Sequence, residues 1–490
     1  MNKLVKISVL PFALALLVPL QYAEAAVAGI GRVPGGSHCS GSTCSFSLTA
    51  RTGQITLGDG NQLLAWGYGT GATMQYPGPT LIVDEGDTVE VTLSNTLRLP
   101  VSIVFPGQSG VTTTGGDIDG LLTREVAAGG AGTPVTYTFD ASAPGTYLYH
   151  SGTETDLQIE MGLVGTLIVR PSGFDEGNDN NRRAYGHKSS AYDREYLFFM
   201  SEIDRCLHAA EDVIQQALAA GEPTPDPLAH RAPDVCTKVD TASSKSTLWF
   251  LNGRNGPDTL LKADVFWLPL QPYNALARMH PGERVLMRLV GGGKEIHPFH
   301  HHGNNAWMIA RDGRVLESAP NANEKYPDFE DTAPELQDKA AKLPDQAISN
   351  YTIQTPPGST IDAIFTWTGK GLNWDAYGHS GDDCSSPAAT SASRVVNEDP
   401  GSHCMPFPVT LPEQQAVTMG GFWTGSPFLE GAVPIPPLQG GLNPGNGYTF
   451  MWHSHTEREL TNDDVFPGGM MTMLIVEGPG VVIDANGDID

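Results

Sequence analysis

Residues 78–97, GPTLIVDEGDTVEVTLSNTL, alternate apolar and polar side chains around an Asp-Glu-Gly-Asp turn. A period of two puts every second side chain on one face, which is the mark of a half-buried strand and not of a helix. Residues 133–152, TPVTYTFDASAPGTYLYHSG, read as two short strands around a Pro-Gly turn, and 161–171, MGLVGTLIVRP, close the unit. Short strands at this spacing, separated by turn residues, specify a β-sandwich. The first domain covers residues 27–171.

The same set returns later in the chain. MHPGERVLMRLVGGG (279–293) matches the first alternating strand in period and turn placement. GYTFMWHSH (447–455) echoes GTYLYHSG (145–152), and GGMMTMLIVEGPG (468–480) echoes MGLVGTLIVRPSG (161–173). This is a duplication of one sandwich. The expected organisation is a linker over 172–194, a second domain over 195–478 and an acidic tail over 479–490. Insertions swell the second copy at about 203–248, 320–345 and 371–440; the first contains the helix-like AAEDVIQQALAAG (209–221). With 56 glycines and 37 prolines and few helix-period stretches, the fold class is all-β.

The N-terminus pairs Lys3 and Lys6 with an apolar run from Ile7 to Leu20 and a small-x-small site at Ala23–Ala25. That is the pattern of a cleaved signal peptide over residues 1–25, so the mature chain is expected to be exported, to a periplasm or outside the cell. Six cysteines suit an oxidising compartment, and neighbours in sequence suggest Cys39–Cys44, Cys206–Cys236 and Cys384–Cys404. The formal charge is −26, and removal of the signal takes it to −27. A polyanion of this kind disfavours nucleic acid and anionic membrane surfaces as partners.

Histidines carry the functional signal. In EIHPFHHHGNN (295–305), an extended chain puts His300 and His302 on one face and His301 on the other. In MWHSHT (451–456), His453 and His455 share a face and Ser454 points away. His150 ends the equivalent strand of the first copy. Five imidazoles on facing strand ends can surround one or two metal ions, and imidazole suits copper, zinc, iron or nickel. His187, His208, His230, His280, His379 and His403 have no partner at ligand spacing and read as surface or loop residues.

These motifs resemble those of the multicopper oxidases, the cupredoxin-domain family that includes laccases. The resemblance covers most of the mature chain. It is strongest in HPFHHHG, in YHSGTETDLQIEMGLVGTLIV and in MWHSHTERELTNDDVFPGGMMTMLIVE. It implies tandem cupredoxin-like Greek-key sandwiches and copper as cofactor. It also implies a two-domain layout in which a homotrimer sets the first domain of one subunit against the second domain of the next. Family members hold a trinuclear cluster with eight histidines in four His-x-His motifs, and a type 1 copper with two histidines, a cysteine and often a methionine.

This chain departs from that pattern. Val104 and Pro106 stand where the first motif would be, and Gly152 replaces the partner of His150. Ser454 replaces the type 1 cysteine, and Glu459 falls near the second type 1 histidine. The resemblance leaves His150, His300, His302, His453 and His455 as cluster positions, with His297 and Met470 as remnants of the type 1 set. By analogy, His150 and His455 would hold one copper and His302 and His453 another, with Glu154, Glu457 or His301 as further ligands. One or two copper ions are expected. A serine hydroxyl ionises too reluctantly to replace a thiolate, so no blue copper is expected.

Three functions are compatible with this reading. One is a copper-dependent oxidoreductase in which a small-molecule substrate or oxygen meets the metal directly. The second is a copper-binding protein without turnover. The third is a structural protein on an oxidase scaffold.

Overall fold

The computed structural model describes residues 39–175, 182–222, 241–280, 282–318, 344–367 and 448–477. It also describes 378–379, 441–442, 481–484 and positions 487 and 489. The expected signal peptide, Cys236, Cys384, Cys404 and most of the insertions at 320–345 and 371–440 lie outside these residues.

The architecture is all-β. In a six-stranded sheet, Thr43–Thr56 runs parallel to Thr88–Asn95, which pairs antiparallel with Val135–Asp140. A three-stranded sheet holds Gly145–His150, Val164–Arg170 and Leu81–Asp84, the last two parallel. The second half repeats both parallel pairings. Arg194–Ile203 runs parallel to Arg284–Gly291 in a seven-stranded sheet, and Ala277–Met279 runs parallel to Met471–Val476 in a five-stranded one.

The four sheets stack in that order. Phe46, Val91 and Tyr137 of the first sheet pack on Leu81, Tyr149 and Leu167 of the second. Leu148, Val164 and Ile168 of the second pack on Leu197, Phe199 and Val290 of the third. Phe198, Met287 and Leu289 of the third pack on Phe299, Trp452 and Leu474 of the fourth. Burying such a side chain contributes about 1.5–3 kcal/mol. The stack explains why Val164–Arg170 is buried at every position: both its faces meet a sheet.

Charges pin the two halves together. Glu195 accepts from Arg170 at 2.9 Å and from Arg288. Asp362 accepts from Thr146 at 2.6 Å and from the Tyr185 hydroxyl at 2.5 Å. These ions are buried but mutually paired, which offsets their desolvation. Residues 182–193, expected to be a polar linker, are therefore partly buried: Ala184, Tyr185 and Tyr192 join an apolar cluster with Leu286 and Ile364.

The helix expected at 209–221 spans Arg205–Ala219. Asp204 caps it by accepting from Cys206 N at 2.8 Å, and its Glu211 pairs with Arg98 of the first half at 2.6 Å. Cys39 and Cys44 form a disulfide. Cys206 is also disulfide-bonded, and Cys236, its expected partner, lies outside the described residues. His208 corrects the sequence reading. It is fully buried, and its ring nitrogens face the carbonyls of Leu64 (2.5 Å) and Glu160 (3.1 Å), fastening the helix to the first half. His187 is likewise buried, and its Nδ1 accepts from Ser189 N at 3.1 Å.

Candidate metal centre

Strands His297–His301 and Tyr448–Ser454 are antiparallel neighbours in the five-stranded sheet, with His300 directly opposite His453. Directly opposite residues share a face. Alternation then sends His301 and Trp452 to the other face, where His301 packs against Trp452 and Phe365. His301 Nε2 accepts from Ala306 N at 3.0 Å, and burial pushes its pKa down to about 3. His301 is a core residue and does not complete a metal shell.

On the outer face, nitrogens of His300, His302 and His453 lie within 4.8 Å of one another. His302 Nε2 and His453 Nε2 are 3.3 Å apart. Two nitrogens bound to one ion at about 2.0 Å subtend that separation at a near-tetrahedral angle. The His455 ring stands beside His300, with centroids 4.8 Å apart; it is half exposed, and its Nδ1 is 3.7 Å from Glu457.

Hydrogen bonds aim these rings. His453 Nδ1 donates to the Ser454 carbonyl at 2.6 Å, which fixes the tautomer and leaves the Nε2 lone pair facing His302. His300 Nδ1 shares a 2.8 Å hydrogen bond with Thr352 Oγ1. His302 Nδ1 is buried with no partner. Burial, reinforced by the neighbouring imidazoles, pushes His300 and His302 down to about 4. Neutral imidazoles with converging lone pairs fit a copper ion.

His150 is not in this group. It ends a strand of the three-stranded sheet, and the seven-stranded sheet lies between it and the five-stranded one. Its Nδ1 donates to the Ser151 carbonyl at 2.8 Å, the same local geometry as His453 on Ser454. Of the positions where the resemblance places further histidines, Val104 and Gly152 pack against each other beside it, and Pro106 is exposed. Val104 pairs with His150 through Val104 N to His150 O at 2.9 Å, and a Cβ on Gly152 would lie 2.8 Å from Val104 Cγ1. Glu154, also considered as a ligand, starts the short helix Thr155–Gln158 with a positive φ of 40°.

Where the resemblance places a type 1 copper, a different structure stands. His297 is fully buried between two carboxylates, its Nδ1 2.9 Å from Glu459 and its Nε2 2.8 Å from Glu202. Against the cost of burial, hydrogen bonds to Glu202 and Glu459 raise its pKa to about 9. A protonated ring with both N–H groups donated has no lone pair for a metal. Ser454 Oγ donates to Glu459 Oε2 at 2.6 Å. Met470 is fully buried in the core. The pairing of Glu202 with His297 and of Thr352 with His300 comes from strands distant in sequence, and no local motif announces either.

Comparison with known proteins shows the family to which this chain belongs. Residues 54–173 match one multicopper oxidase family model and residues 243–374 match another, together about half the chain. The chain belongs to the multicopper oxidase family. It is 33% identical over 129 residues to Laccase 1 of Metarhizium robertsii, covering 25% of this chain and 20% of that protein. It is 27% identical over 262 residues to a probable nitrite reductase-hydroxylamine oxidoreductase fusion protein of Kuenenia stuttgartiensis, covering 52% of this chain and 24% of the relative. The matched segments thus span a fifth to a quarter of these relatives. The solved multicopper oxidase mgLAC superposes with a TM-score of 0.48 at 18% identity, covering 90% of this chain and 87% of that one. No helix among the described residues is long and apolar enough to cross a membrane.

Proposed function

We propose that this protein is an exported copper-binding member of the family, an oxidoreductase whose copper is held by histidine alone and which has no type 1 relay. The observation that carries this reading is the pairing of two arrangements on one strand. His453 joins a converging imidazole cluster, while the next residue, Ser454, is tied to Glu459 in place of a thiolate.

His300, His302 and His453 would hold the ion, with His455 at its exposed side. Bound copper would supply one-electron exchange with a small molecule or oxygen at an open coordination position. The protein's own part is positional. The Ser454 carbonyl and Thr352 hold the rings, and burial keeps His300 and His302 neutral at physiological pH. The buried pair Glu459–His297 removes the ligands through which an outlying copper would pass electrons inward.

Within one chain His150 and the cluster lie in different sheets, so in this reading His150 would join the cluster from another copy. A homotrimer that sets His150 of the partner subunit against this cluster would add a ligand, and Leu121 (95% exposed) and Leu122, beside Gly152, offer apolar surface for that contact. Export rests on the N-terminal pattern of residues 1–25. The test is oxygen consumption by copper-loaded protein with small phenolic or inorganic reductants, alongside its mass by light scattering. Copper uptake without turnover would leave the alternative of a copper-holding protein.

A further inference from the structure

The face that carries the imidazole cluster also carries sulfur. Strand Tyr448–Ser454 pairs with Met471–Val476 in the register Met451 opposite Met473 and His453 opposite Met471. Alternation puts all four side chains on the outer face. The burial pattern agrees: Trp452, Thr472 and Leu474 are fully buried, while Met451, Met471 and Met473 are half-buried and lie outside the core cluster that takes Phe450, Trp452 and Leu474. On the other side of Met451, His302 N donates to the Met451 carbonyl at 3.2 Å. Two short rows result. Met473, Met451 and His302 form one; Met471, His453 and His300 form the other.

Methionine is an ordinary filler of cores. These three are not in the core. Directly opposite side chains stand about 4.5–5.5 Å apart at Cβ, close enough for two flexible thioethers to share one ion. Neutral thioethers are soft ligands that select Cu(I), whereas imidazole accepts either oxidation state.

We infer that Met451, Met473 and Met471 form a cuprous subsite on this face, adjoining the histidine cluster at His453. Its ligand is Cu(I), or Ag(I) as its redox-inert equivalent. The subsite holds the reduced ion at sulfur while the histidines hold Cu(II). The inference rests on the copper reading of the cluster, and the two can be separated.

The test is anaerobic titration of the full chain with Ag(I), and with Cu(I) in competition with bicinchoninate, together with X-ray absorption of the loaded protein. Met451→Leu/Met473→Leu, a volume-conserving change, should weaken Ag(I) binding at least tenfold. It should leave Cu(II) uptake, read by electron paramagnetic resonance, unchanged. Met471→Leu alone should weaken Ag(I) binding severalfold, and the wild-type absorption spectrum should show sulfur scatterers. Equal Ag(I) affinity in the double variant, or scattering from nitrogen alone, overturns the subsite. Sulfur-bound Ag(I) with no Cu(II) uptake would uphold it and sink the histidine reading instead.

Discussion

Ser454 Oγ donates to Glu459 Oε2 at 2.6 Å, and the same oxygen lies 2.9 Å from Nδ1 of His297. One carboxylate thus joins Ser454 to His297, the two positions that the resemblance assigns to a type 1 copper. The ring's Nε2 donates to Glu202, so the whole group is a closed, buried hydrogen-bonded unit.

This geometry predicts how a blue site could be rebuilt. Ser454→Cys alone should give no intense thiolate-to-copper absorption, because Glu459 still engages His297 Nδ1. Ser454→Cys with Glu459→His frees that nitrogen and supplies a second imidazole beside Met470. Glu202 would then orient His297 from behind, as carboxylates do for metal-bound histidines. The double variant loaded with Cu(II) should turn blue; a colourless double variant contradicts the assignment.

The same unit predicts a stability cost. Glu459→Leu leaves the charged His297 ring buried with one partner. Breaking a buried pair costs about 3–5 kcal/mol. Denaturant midpoints of the variant and parent measure it, and a loss under about 1 kcal/mol, the range of exposed pairs, would show that His297 is not charged.

Its pH dependence has a definite sign. His297 is raised from 6.5 to about 9 in the folded protein. Its stabilisation is therefore complete below about pH 6.5 and is lost as pH climbs through about 9. Unfolding midpoints should fall across that window, and His297→Gln should flatten the fall.

How much of this was legible in the sequence follows from range. Period two in residues 88–95 and the echo of 145–152 in 447–455 are local, and they carry the all-β reading. Residues 284–291, read with the same period, are instead buried from Val285 to Gly291, because one face packs on each neighbouring sheet. The shared face of His300 with His302 and of His453 with His455 followed from the same period. Register is not local. That His300 stands opposite His453, that Thr352 holds it, and that Glu202 reaches His297 depend on pairings across 50 to 160 residues of chain. His208 misled for the same reason: its partner carbonyls, on Leu64 and Glu160, lie in the other half of the chain.

Thr352 supplies a further prediction. Thr352→Val removes the hydrogen bond to His300 Nδ1 while keeping the side-chain volume. Loss of such an outer partner costs about 10–100-fold in metal affinity. Isothermal titration with Cu(II) should show that loss with an unchanged unfolding midpoint.

Gly152 should resist a larger side chain. With a Cβ only 2.8 Å from Val104 Cγ1, Gly152→Ala should destabilise the fold by about 1–3 kcal/mol. Gly152→His combined with Val104→Ala should be better tolerated than Gly152→His alone, as thermal unfolding would report.

The most direct measurement is copper content of the purified protein after Cu(II) loading, by elemental analysis with visible and electron paramagnetic resonance spectra of the same sample. The account predicts one or two copper ions per chain, imidazole nitrogen coupling, no intense blue absorption, and loss of binding in His453→Ala. No copper uptake, or a strong blue band from the unaltered chain, would contradict it.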